Sequence, residues 1–216
     1  MAKQETVHID MKDVQEKIDK LSKTLGNPSV VFERTLKDMG SRAPGKVADA
    51  VRGVYNIKKN EITPSKKSTT KLAGNIKVTG GDIMSLKFTY EGRALTPLHF
   101  GMTPKSRPDK KRYKVKAKIK KGKPTVFEPK NEGGGVFLAP ARKGSAKILA
   151  WERYSGDRYD ISPIKTLSLP QMVGPNPETG QGGNPTVTNM INDSLGELLL
   201  KRLDHHLNRY LDKNLK

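Results

Sequence analysis

The sequence predicts an α+β fold with N-terminal helices, a central antiparallel β-sheet and a long C-terminal amphipathic helix. Three observations predict it. Apolar residues recur at helical spacing before residue 60, the period changes to two from Lys71 to Tyr154, and helical spacing returns after Pro185.

The first helix begins near Asp10, where Val14, Ile18, Leu21 and Leu25 stand at i, i+4, i+7 and i+11 and form one stripe. Gly26 ends it. Asn27-Pro28 then reads as an N-cap with proline at the first helical position, opening a second helix to about Met39. Gly40-Ser41 and Ala43-Pro44-Gly45 read as a break, so a third helix is expected to carry Val47, Val51 and Val54. Tyr55-Asn56-Ile57 closes the helical region, and the polar, proline-containing run 62–70 is a loop.

Strands follow. Leu72 to Val78 and Ile83 to Tyr90 alternate, with Gly80-Gly81 between them as a hairpin turn. The clearest strand runs from Tyr113 to Ile119. Its apolar face is Tyr113, Val115, Ala117 and Ile119, and its other face, carried one residue further, is Lys114, Lys116, Lys118 and Lys120. Val136 to Ala139 and Ile148 to Tyr154 supply two more. The Gly- and Pro-rich run Gly174 to Pro185 reads as a linker. Beyond it Val187, Met190, Ile191, Leu195, Leu198, Leu199, Leu203, Leu207, Tyr210 and Leu211 mark the longest helix. A helix from Thr186 to Asp212 spans about 40 Å, more than a small sheet covers. Part of its stripe, with Ile191, Leu195, Leu198, Leu199, Leu203 and Tyr210, is therefore expected at a subunit interface. The chain divides into a helical region (1–62), a sheet body (63–173) with a basic hairpin (104–124), the linker (174–185) and the last helix (186–216).

Composition narrows the function. The chain has 216 residues, 34% of them hydrophobic, enough for one domain with much of its length on surfaces or against partners. No cysteine occurs, which excludes disulfides and thiolate metal sites. The N-terminal residues show no apolar core of a signal peptide, and no run of 18 apolar residues occurs. A soluble, cytoplasmically made protein outside the membrane is expected. The formal net charge is +19, and its distribution is uneven. Pro104 to Pro124 carries nine Lys and two Arg against one Asp, whereas residues 1–60 net only +4 and residues 185–216 only +1.

Motifs that carry chemistry are weak. His205 and His206 project about 100° apart on a helix, so they cannot share a metal as an i, i+4 pair does, and they read as solvated or at an interface. Gly133-Gly134-Gly135 lacks a following Gly-Lys-Ser/Thr and reads as a hairpin tip. Ser162-Pro-Ile-Lys165 fits a four-residue Ser-x-x-Lys pattern, but its companion motifs are missing and Pro163 opposes a helix. The chain is read as non-enzymatic, with neither cofactor nor metal.

The basic segment is the candidate interaction site, with Arg112, Lys114, Lys116, Lys118 and Lys120. A lysine row on a strand opposes edge-to-edge aggregation. It also suits phosphate backbones without reading sequence, or an acidic neighbouring protein ring. Aromatic residues are too sparse there for base stacking.

Several short runs carry a resemblance. Val47 to Ile62 contains Tyr55-Asn56-Ile57-Lys58, and Leu86 to Tyr90, Leu95 to Phe100 and Val115 to Ile119 follow in order. Ile148 to Tyr154, Pro163-Ile164, Ser168-Leu-Pro170-Gln171-Met172 and the last helix complete the series. This series resembles the phage minor tail protein Z (tail-completion, or neck) family. The resemblance implies a structural role in the virion of a tailed bacteriophage, after assembly in the host cytoplasm. Such a subunit sits at the head-proximal end of the tail and helps join tail to head. The family implies a homo-oligomeric, hexameric ring next to tail-tube or terminator and head–tail connector proteins. A tail terminator, or a sequence-nonspecific nucleic-acid-binding protein using 104–124, is the alternative.

Overall fold

The structure is a computed structural model that describes residues 3–7, 12–25, 28–63, 75–80, 86–109, 113–129, 134–155, 157, 159–174 and 183–214. It is α+β. Helix α1 (Lys12–Thr24) precedes α2 (Ser29–Val54) and the short α3 (Lys59–Ile62). Strands β1 (Lys3–Val7), β2 (Asn75–Thr79) and β3 (Lys87–Gly92) form one sheet in the order β1-β3-β2, antiparallel throughout. Strands β4 (Val115–Ala117) and β5 (Thr125–Phe127) pair as a second. Strands β6 (Gly135–Pro140), β7 (Ile148–Arg153) and β8 (Ile161–Pro163) make a third, in chain order. Helix α4 (Leu169–Val173) leads towards α5 (Pro185–Asn214). The expected central sheet is thus three small sheets.

The main correction concerns α2. The break expected at Gly40 to Gly45 does not occur, and the second and third helices are one, with Pro44 inside it. A proline in a helix interior costs about 3 kcal/mol, through a lost hydrogen bond and a clash with the turn before it. Here Gly40, whose carbonyl loses its partner, is exposed to water. Against that cost stands an unbroken buried stripe of Val31, Thr35, Met39, Ala43, Val47 and Val51, each four residues from the last. Burying such side chains stabilises by about 1.5–3 kcal/mol for each large one, so packing outweighs the local breaker. Thr35 joins the stripe because its hydroxyl donates to the Val31 carbonyl at 2.8 Å.

Helix α5 covers that stripe. Val187, Ile191, Leu195, Leu199 and Leu203 are fully buried and Leu198 nearly so, packed in one cluster with the α2 residues. The small side chains of Ala43, Ala48 and Ala50 favour close packing of the pair. Asn184 caps α5 by accepting from the Thr186 amide at 3.1 Å, with Pro185 at the first helical position. Most of the linker, 175–182, and the Asn27 cap lie outside the described residues.

The same cluster takes in Leu21 from α1, Leu25 just after it, and Phe88 and Tyr90 from β3. It also takes in Leu169, Met172 and Val173 from α4. That short helix is held by a capping box, in which the Ser168 hydroxyl and the Gln171 side chain each serve the other's backbone. Met102, Val115, Leu138, Ala150 and Ile164 form a second cluster, and Phe127 packs against both. The antiparallel pairing expected of the first hairpin is present between β2 and β3, from Thr79↔Lys87 to Asn75↔Glu91, but this register leaves residues 80–86 as the connection in place of a tight turn at Gly80-Gly81. Gly81, most of the loop at 62–70 and Gly133 lie outside the described residues. The glycines expected at a hairpin tip do not form one: Gly134 precedes β6, Gly135 opens it, and β5 and β6 belong to different sheets.

Candidate interaction surfaces

The lysine row has the alternation expected of it. Val115 and Ala117 are buried, Tyr113 and Ile119 half-buried, and Lys114, Lys116, Lys118 and Lys120 are exposed. The regular strand is shorter than expected, three residues, because its flanks pair with different partners. On one side Lys116 exchanges two backbone hydrogen bonds with Thr103, each 2.8 Å, and the Lys118 amide donates to the Phe100 carbonyl at 3.1 Å. Further on, the Ile119 carbonyl accepts from the Asn56 amide at 3.0 Å, and the Lys121 amide donates to Val54 at 2.8 Å. On the other side β5 sets Val126 opposite Lys116. The hairpin therefore spans 115–127, and the segment from Pro104 to Lys114 leads into it.

This face is strongly positive. Lys105, Arg107, Lys121 and Lys123 are exposed beside the lysine row. Among the described residues, none of these eight cations takes part in an ion pair. Arg112 lies outside the described residues. Such an array attracts polyanions through a salt-screened field and offers no pattern that reads a base.

The C-terminal residues expected at a subunit interface are not available to one. Ile191, Leu195, Leu199 and Leu203 are fully buried and Leu198 is 8% exposed, all inside the chain's own core. Tyr210 alone of that set is half-buried, beside Val30, Arg34 and Arg209. A 40 Å stripe outruns a small sheet, but α2 is itself 26 residues long and provides the missing cover.

His206 is likewise not a surface residue. It is 8% exposed, and its Nε2 lies 3.2 Å from Asp38 Oδ2 on α2. Arg202 reaches the same oxygen at 3.5 Å and Arg42 at 3.9 Å. Burial pushes the Asp38 carboxyl up, but the hydrogen bond and charge of His206, with Arg42 and Arg202, more than offset this and hold it below its ordinary value. His205 is exposed, with its ring 5.0 Å from that of His206 and edge-on to it. Asp204 pairs with Lys17 of α1.

Ser162 Oγ is 2.8 Å from the Tyr154 hydroxyl, and Lys165 is exposed. Lys165 instead lines a cleft of about 560 Å³ with Arg93, Thr96, His99 and Lys147. Arg93 follows β3, Thr96 precedes and His99 lies in the 3-10 turn at Pro97–Phe100, Lys147 precedes β7, and Lys165 follows β8. His99 is paired with Glu61 of α3. Arg93, Lys147 and Lys165 have no ion-pair partner among the described residues, and no acidic residue among them lines the cleft. Sequence reasoning missed this site because its cations come from three separate segments, Arg93 lying 54 residues before Lys147 and Lys147 18 before Lys165, with no spacing motif to join them.

Comparison with family models, with curated proteins and with solved structures returned no match to the chain. Among the described residues, no helix is long and apolar enough to cross a membrane.

Proposed function

We propose that this chain is a ring-forming assembly subunit, acting by contact with neighbouring proteins and not by catalysis. In particular, we read it as a neck or tail-completion protein of a tailed bacteriophage virion, at the head-proximal end of the tail. Its partners are then copies of itself in a hexameric ring, the tail-tube or terminator proteins below and the head–tail connector above.

One observation carries this reading. Three of the short runs that resemble the minor tail protein Z family, at Tyr55–Lys58, Leu95–Phe100 and Val115–Ile119, lie apart in sequence and meet in space. The Asn56 amide donates to the Ile119 carbonyl at 3.0 Å, and the Asn56 side chain donates to the Phe100 carbonyl at 3.3 Å. Phe100 also accepts from Lys118, and Leu95 exchanges backbone hydrogen bonds with Thr166 and Leu167. Runs that define a shared fold are expected to touch one another, and these do.

The test is solution mass by light scattering across a salt series, then negative-stain imaging and co-sedimentation with purified tail tubes. Rings with a central hole that bind tube ends are expected. A monodisperse monomer at high concentration that also ignores tubes overturns the reading.

The exposed lysine face, free of ion pairs among the described residues, supports a second reading, sequence-nonspecific contact with nucleic acid. There the logarithm of affinity falls linearly with the logarithm of salt concentration. The two readings are compatible, since a neck ring has DNA passing through it.

A further inference from the structure

The β6-β7-β8 sheet carries two unused features at opposite ends of the same strands. The cationic cleft lies at one end, where Lys147 enters β7 and Lys165 leaves β8. The tip between β7 and β8 lies at the other, where Asp157, Tyr159 and Asp160 are exposed. Tyr159 is 87% exposed, far more than any other large hydrophobic side chain among the described residues. Neither aspartate joins an ion pair among those residues. Six residues of β7 hold tip and cleft about 20 Å apart.

We propose that the tip of one copy docks in the cleft of the next copy. Tyr159 meets the half-buried apolar walls at Leu149 and Pro163, while Asp157 and Asp160 meet Arg93, Lys147 and Lys165. The chemistry matches on both counts. Among the described residues the cleft brings three unpaired cations together without an acid, an arrangement that repels itself until an anion arrives. The tip offers carboxylates around an aromatic ring, the side-chain type most enriched at the centre of protein contacts. Arg158 reduces the tip's sequence charge to −1, so the ring and the two carboxylates share the attraction. A volume of about 560 Å³ admits one aromatic side chain with its flanking groups.

Geometry then sets the type of assembly. The two patches differ and face opposite ways along one sheet, so the contact is heterologous, and its repetition gives a closed ring or an open filament. This inference rests on the ring-forming reading and adds the surface that builds the ring.

The test uses the full chain and three variants at exposed positions. One carries Asp157→Lys with Asp160→Lys, one carries Lys147→Glu with Lys165→Glu, and one carries all four. Circular dichroism checks folding, and sedimentation velocity reads mass. Wild type is expected to assemble beyond a dimer, and each double variant alone to stay monomeric. An equimolar mixture of the two double variants regains assembly, because the native tip of one meets the native cleft of the other and the reversed tip meets the reversed cleft. The quadruple variant regains assembly, and Tyr159→Ala weakens wild-type assembly about thirtyfold. Double variants that assemble as well as wild type overturn the proposal, as does a wild type that stays monomeric at every concentration. So does a monomer whose cleft takes an added acidic peptide while never taking a second copy. Tail-tube co-sedimentation separates this failure from that of the neck reading. Monomers that bind tubes retain the neck reading without this contact, whereas assemblies built through it that ignore tubes retain the contact without that reading.

Discussion

Asp38 on α2 and His206 on α5 meet at 3.2 Å across the helix pair, 168 residues apart in sequence. Arg202 and Arg42 reach the same carboxylate oxygen, so one acid takes a histidine and two arginines at the edge of the hydrophobic seam.

Asp38→Asn tests this cluster through pH. The carboxyl is held below its ordinary value of 3.8 in the folded chain. A depressed folded pKa contributes stability that is present above the unfolded value and lost as pH falls through the folded value. The variant is therefore expected to lose about 1–2 kcal/mol at neutral pH, a charged hydrogen bond discounted for partial exposure. The difference should shrink once pH falls below about 4. Urea unfolding of both proteins at several pH values reads it. A gap that stays constant into acid removes the carboxylate from the explanation.

Leu199→Ala addresses where the C-terminal stripe lies. Leu199 is fully buried in the chain's own core, so truncation is expected to cost about 2–5 kcal/mol. The loss should not depend on protein concentration in chemical unfolding of the monomer. A loss that grows on dilution would instead place the residue between subunits.

Pro44→Ala distinguishes one long helix from two. In a continuous helix the substitution restores an amide donor and removes a clash, and stability is expected to rise by about 1 kcal/mol or more. Thermal unfolding measures it. A lower melting temperature would show that the proline sits at a turn it helps to set.

Gly101 ends the 3-10 turn with φ at +68°, in the left-handed region. Gly101→Ala is expected to cost about 1 kcal/mol from backbone strain. The added Cβ would lie 3.5 Å from Asn56 Nδ2, an ordinary contact, so strain alone should account for the loss. An unchanged unfolding midpoint would contradict that backbone geometry.

Replacing Lys114, Lys116, Lys118 and Lys120 with glutamate isolates the lysine face. No ion pair among the described residues is broken, so the unfolding midpoint is expected to move little, as for surface substitutions generally. Any DNA affinity of the wild type should collapse, together with its salt slope. Binding by fluorescence anisotropy that survives the reversal would place the nucleic-acid contact elsewhere.

Local pattern determined much of this protein. The stripe from Ile18 to Leu25, the alternation from Tyr113 to Lys120 and the apolar repeat after Pro185 give helix, strand and helix where the structure has them, because side-chain period follows backbone geometry directly. The concentration of charge in residues 104–124 and the exposure of its lysines were legible for the same reason. Tertiary structure alone decided the rest. It made α2 one helix through Pro44, because burial against α5 exceeds what a single proline costs. It turned the stripe from Ile191 to Leu203 into core, because its cover is a helix about 150 residues earlier in the chain. It buried His206 on Asp38, and it gathered Arg93, Lys147 and Lys165 around one cleft. Periodicity reports which face of an element is apolar; which element covers that face, and which distant charges come to lie beside it, depends on contacts that only the folded chain makes.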